Sequence, residues 1–236
     1  MPMIAEELAA AAITDSLLRA ESPLSAGGIW TKPSWDTSIS SCTEAEGWKV
    51  TTVFATGEDG ARLSDAPHLQ TLVPGIYVYT LGTISLASKS TAGRWVGLWA
   101  LMDKEAQTGY RARAEVEADT TKWKLYIERG VAGEYTVLAE KAGISLPNGI
   151  GELGRFGLVV GEGEVSLYYR LGKEGFGKLL GAGDKTLSAG FGGMAGKGNF
   201  MRLKEFAVGT FAAPPASGAV TPQFPLSRCC NPIVNP

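Results

Sequence analysis

From Ile13 to Phe211 the chain runs as short segments rich in β-branched and aromatic residues, broken at close intervals by Gly, Pro, Asn and Asp, with no helical pattern between them. That grammar specifies strands joined by tight turns. The clearest strands are expected over 49–56, 76–87, 94–102, 110–117, 122–129, 135–140, 155–160, 164–171 and 200–211. Within 122–129, Trp123, Leu125 and Ile127 face one way and Lys122, Lys124, Tyr126 and Glu128 the other, so one face is expected buried and the other solvated. The Gly-rich joints 129–134 and 161–163 read as antiparallel hairpins. So many consecutive strands without helices predict an all-β fold, a two-sheet antiparallel jelly-roll sandwich. Of the 31 glycines, 19 fall between residues 130 and 198. No Gly-Lys-Ser/Thr ending follows them, so they mark tight turns and a strand passing close to other backbone, not a phosphate loop.

The two ends differ from this middle. Residues 4–12 are Ala-rich with Ile4 and Leu8 at helical spacing, which predicts a short helix. A helix of that length needs a surface to dock on, either its own domain or a neighbouring subunit. At the other end, six of the 12 prolines lie in the last 23 residues, which predicts an extended arm. That arm carries Phe224, Leu226, Ile233 and Val234, and either docks on a partner, packs on its own domain or stays loose. The expected organisation is a helical arm over 1–12, the sandwich over 13–212 and the Pro-rich arm over 213–236.

Composition excludes several classes. With 22 Lys+Arg against 24 Asp+Glu, a net charge of −2 and no cationic run, the chain lacks the footprint of a nucleic-acid or anionic-membrane binder. No segment is apolar over the roughly 20 residues that membrane insertion requires. Glu6 and Glu7 and the lack of an early Lys or Arg argue against a secretory signal. Three cysteines and a single histidine, His68, offer neither a disulfide framework nor zinc-ligand spacing.

An enzyme on such a scaffold needs paired carboxylates. Glu115 with Glu117, and Glu162 with Glu164, have suitable spacing, but each also fits an ordinary solvated strand face or turn. His68 lies in a loop-like Asp65-Ala66-Pro67-His68 context without a nucleophile elbow. Sugar binding needs exposed aromatics instead. Trp95 and Trp99 share a strand face with Gly97 between them, a pattern that core packing explains well. Tyr77 and Tyr79 share the face opposite Ile76 and Val78, and become a ligand platform if those two point inward; Trp30 and Trp35 fit a loop at the rim.

Two stretches resemble a known family. The opening Ile13-Thr14-Asp15-Ser16-Leu17-Leu18-Arg19-Ala20-Glu21-Ser22-Pro23-Leu24 with Trp30, and the closing Gly190-Phe191-Gly192-Gly193-Met194 through Gly198-Asn199 to Leu203-Lys204-Glu205-Phe206-Ala207-Val208-Gly209, are similar to the first and last strands of concanavalin A-like (laminin-G-like) domains in bacteriophage virion proteins. Leu17 stands where those domains usually carry an aromatic, and Glu205 where Asp or Asn is commoner. The resemblance implies a non-enzymatic virion protein assembled in the host cytoplasm, of minor tail, adsorption or capsid-decoration type. Its arms, through Ile4, Leu8, Phe224, Leu226, Ile233 and Val234, would dock on other virion proteins or on copies of itself. It would touch host-surface glycans through Tyr77, Tyr79, Trp30 and Trp35. No cofactor is expected, save that calcium-binding relatives place acidic ligands near these strands, which here means Asp15, Glu21 and Glu205. The alternatives are a free carbohydrate-binding module or lectin and, third, a glycan hydrolase or lyase.

Overall fold

Along 95–102 the side chains sort by parity: Val96, Leu98 and Ala100 enter the main core, while Trp95 and Trp99 leave on the other side. Repeated along the chain, this sorting gives two stacked antiparallel sheets. The computed structural model describes residues 13–15, 30–31, 39–43, 47–51, 60–68, 76–86, 91–103, 105–145, 151–170, 177–197 and 201–212. The expected helix over 4–12, the arm over 213–236, Trp35 and Glu21 lie outside them.

Strands are numbered in chain order. The first sheet runs β13 (Gly177–Gly183), β12 (Glu164–Arg170), β11 (Gly151–Gly161), β6 (Ile76–Leu86), β15 (Met201–Ala212), β4 (Gly47–Thr51) and β3 (Ile39–Thr43), with β1 (Ile13–Asp15) also paired to β15. The second runs β10 (Glu134–Ser145), β9 (Lys122–Val131), β8 (Gly109–Val116), β7 (Trp95–Met102), β14 (Gly190–Lys197), β5 (Gly60–His68) and β2 (Trp30–Thr31). The chain passes repeatedly between the sheets, and only β3–β4, β7 to β10 and β11 to β13 follow one another within a single sheet. This is the jelly-roll sandwich that the strand pattern predicts.

The core lies between the sheets. Leu98, Ala112, Trp123, Leu125 and Ile127 come from one layer and Val78, Ile84, Phe156, Leu158 and Leu167 from the other. Thr80 Oγ1 adds a stitch at 2.8 Å by donating to the Trp99 carbonyl. The alternation slips at Leu101, whose φ is +53°, so that Ala100 and Leu101 both join the inner core and Met102 emerges beside the tryptophans. Gly190 makes this slip possible, because a Cβ there would strike the Leu101 backbone.

Two expectations change. His68 is the last residue of strand β5, paired with Gly190, and Pro67 pairs with Phe191 beside a register shift. The Asp-Ala-Pro-His run is therefore strand and not loop, because Pro is tolerated beside an irregularity in the ladder. In the glycine-rich region the expected strand in close approach to other backbone is β14, whose Gly190 lies against Leu101, but β13 is a second strand where turns are expected.

Between β13 and β14, residues 184–189 cross one end of the sandwich, pinned by Asp184. Its carboxylate accepts Tyr110 Oη at 2.6 Å, Arg129 Nη1 at 2.6 Å and the Thr186 N–H at 2.8 Å, and its own N–H donates to Gly163 O at 2.9 Å. Burial works to raise the Asp184 pKa, but these bonds outweigh it and hold the carboxyl below the usual range. Burial, then the bond to Asp184, pushes the Tyr110 phenol up.

Candidate functional site

The side of the second sheet turned away from the core is the most chemically loaded surface among the described residues. Register sets its layout in three rows. Trp95, Glu115 and Lys124 stand opposite one another on β7, β8 and β9; next come Gly97, Arg113 and Tyr126, then Trp99, Arg111 and Glu128. On β10, Glu140 extends the second row and Val137 the third. Gly97 and its β14 neighbour Ala195 leave a low floor between the two tryptophans. Gly97 cannot be enlarged, because a Cβ would strike the Ala112 carbonyl.

Into this arrangement Arg111 places its guanidinium among three rings, with the Tyr135 centroid at 3.9 Å, Trp95 at 4.6 Å and Trp99 at 5.2 Å. Stacking of this kind contributes about 0.5–2 kcal/mol per contact. Glu128 completes the charge balance, accepting Arg111 Nε at 2.7 Å and Arg113 Nη2 at 2.9 Å. Arg113 donates through its other terminal nitrogen to Glu115. Tyr126 lies against Arg113 at 4.2 Å and Lys124 at 4.9 Å, and Lys124 pairs with Glu140 at 2.8 Å.

Exposure grades across the group. Trp99, Glu128, Trp95 and Arg111 are 1%, 2%, 3% and 4% exposed, whereas the side chains of Arg113, Glu115 and Lys124 are 17%, 25% and 26% exposed. The buried members form a base, and Arg113, Glu115, Tyr126 and Lys124 form its accessible edge. This corrects the expectation of a solvated outer face on 122–129, because Glu128 is buried by pairing with two arginines. Trp95 and Trp99 are buried as packing residues, but in a cluster separate from the core between the sheets. Strand parity alone assigns Arg111, Arg113, Glu115 and Glu128 to one face; only register shows that the charges neutralise one another.

Tyr77 and Tyr79 lie on the outer side of the first sheet, opposite the inward Val78. Tyr79 is 1% exposed and its ring sits over Gly209, its oxygen 2.8 Å from where a Cβ would stand. Tyr77 is more open, covers Gly161 and donates to Glu162 at 2.8 Å. Its pKa is pushed up to about 12 by burial and then by that bond. Trp30 is in β2 opposite Ser64, and is therefore in an edge strand and not a loop.

The catalytic alternatives find other uses. Glu115 is taken by Arg113 and Glu117 by the Gly143 N–H at 2.6 Å; Glu162 is taken by Tyr77 and Glu164 by Lys178. Among the described residues no group of three His, Cys, Asp or Glu side chains converges for a metal ion, and these carboxylates do not fit a calcium cradle. Asp15 stands opposite Phe206 in the register of β1 with β15, and Glu205 pairs with Thr83 on β6, so register does not pair these two positions. No helix among the described residues is long and apolar enough to cross a membrane.

The architecture defines a fold class, the two-sheet antiparallel jelly roll of concanavalin A-like type. No protein-family model and no curated protein matches the sequence. Among solved structures, the Ca2+-bound form of the VIP36 exoplasmic/lumenal domain is similar at a TM-score of 0.58 and 10% identity, over 89% of this chain and 93% of that one. Lectin UEA-II complexed with galactose gives 0.52 and 8%, over 85% and 98%. The Bacillus subtilis carbohydrate binding module CBM66 gives 0.50 and 19%, over 78% and 96%. At these identities the likeness is one of fold.

Proposed function

We propose that this protein is a non-enzymatic carbohydrate-binding module whose ligand rests on the accessible edge formed by Arg113, Glu115, Tyr126 and Lys124. The carrying observation is the Arg111–Glu128–Arg113 linkage packed against Trp95, Trp99 and Tyr135. A sugar presents hydroxyl edges and an apolar ring face, and is held by fixed donors and acceptors beside aromatic groups. Here those groups are immobilised in advance, which lowers the ordering cost of binding. The lectins and the carbohydrate-binding module among the similar structures support this reading over the virion one. A virion setting for such a module rests on the resemblance of the first and last strands. Calcium is confined in this proposal to Asp15, Glu205 and Glu21.

The test is a glycan array followed by calorimetric titration of the best ligand with wild type and Arg113→Ala. Affinity is expected to fall about tenfold or more, the loss that follows removal of a charged hydrogen-bonding group from a site. The variant should remain folded by circular dichroism with a lowered melting temperature, because buried Glu128 loses one of its two arginines and keeps Arg111. Unchanged affinity would remove this site and turn attention to Tyr77 on the opposite face, where Tyr77→Ala is the matching variant.

A further inference from the structure

We infer that the site reads an uncharged sugar through adjacent hydroxyls and discriminates against acidic ones, a conclusion that rests on the carbohydrate reading above. The charge ledger of the face carries it. Arg111, Arg113 and Lys124 meet Glu128, Glu115 and Glu140, and each of the three cations is paired. Lys197, opposite Trp95 on β14, and Glu117, just past the end of β8, add one charge of each sign. A uronate or sialate carboxylate at this edge would find no uncommitted cation among Arg111, Arg113 and Lys124; Lys122 is paired with Asp119, and Lys197 stands on β14, two strands from Glu115 in register with Trp95 between them. It would have to displace Glu115 or Glu140 from its partner while lying close to that displaced carboxylate, and like charges at that range repel.

A hydroxyl pays no such penalty. Arg113 uses one N–H on each terminal nitrogen, toward Glu115 and Glu128, and each of those nitrogens has a second. Glu115 accepts Arg113 through Oε2, and among the described residues nothing donates to its Oε1. A donor and an acceptor thus lie side by side at the exposed end of the pair, the pattern that two neighbouring hydroxyls complement, one accepting and the other donating. The buried Arg111–Glu128 pair holds the Arg113 fork in place from below.

Neutral oligosaccharides and matched uronic-acid oligosaccharides, titrated at 20 and 300 mM NaCl against wild type and Glu115→Gln, test this. Wild type should bind the neutral set with less than about a twofold change across that salt range, because no net charge is screened, and should not bind the acidic set. Glu115→Gln unbalances the face, so it should acquire acidic-sugar binding that salt weakens, while losing affinity for the neutral set. Wild-type preference for acidic sugars, or no gain of acidic binding in Glu115→Gln, overturns the inference and leaves the carbohydrate reading standing. Absence of binding to either set, with the protein folded by circular dichroism, overturns both.

Discussion

Glu128 and Glu115 carry the same functional group on neighbouring strands, yet their surroundings give them different energetic roles. Glu128 is buried and is the shared acceptor of two arginines, whereas Glu115 serves one arginine at a partly exposed edge. Removing one partner from a buried pair leaves charge without compensation, so Glu128→Ala should cost about 3–5 kcal/mol in urea unfolding. Glu115→Ala should cost under about 1 kcal/mol, because water screens its pair. Comparable losses for the two variants would show that the grading of burial has no energetic counterpart. At this scale the sequence was only half legible. Parity assigned Trp123, Leu125 and Ile127 to the core and grouped Lys124, Tyr126 and Glu128 opposite, as observed. It could not distinguish a charge facing water from one facing another charge, which is why Arg111 and Glu128 were missed as buried residues.

At the scale of elements, long alternating strands were readable and short or glycine-rich ones were not. Strands β7, β8 and β9 lie close to their expected bounds because each is a long run of strand-forming residues with a period of two over most of its length. By contrast β5 and β14 carry Gly, Pro and Asp in place of the usual strand formers, and gain their structure from pairing with each other and, for β14, with β7. The crossing segment 184–189 was equally hidden, since its anchor joins Asp184 to residues 55 and 74 positions away. That anchor predicts a pH dependence. Asp184 has a folded pKa below its unfolded value, so its contribution is complete above the unfolded value, about pH 4, and is lost as pH falls toward the folded one. Asp184→Asn should therefore lower stability at pH 7 and flatten the stability profile between about pH 5 and 2. Parallel profiles for wild type and variant, from denaturant titrations at each pH, would contradict the assignment.

Across the whole molecule, one inner core draws on both sheets, and Trp123 lies fully buried within it. Neither sheet keeps its inner face covered without the other, so tryptophan fluorescence and far-ultraviolet circular dichroism should report one coincident thermal transition. Separate midpoints would mean that the sheets come apart independently. The two-layer architecture was legible because turn density and strand count leave few ways to bury so much apolar surface without helices. Which strand neighbours which was not, because pairing depends on contacts between remote positions. The central strand β6 is flanked by β11 and β15, and Ile76 finds its register partner only at Ala212. During synthesis, β6 must therefore leave the ribosome long before its β15 neighbour exists. At about 5–20 residues per second the intervening stretch takes roughly 6–30 s to make, so a nascent chain spends that time with a central strand edge unsatisfied. Aggregation during expression should concentrate in that interval, and slower growth temperatures or a holdase that covers exposed strand edges should raise the soluble yield without any change in the sequence.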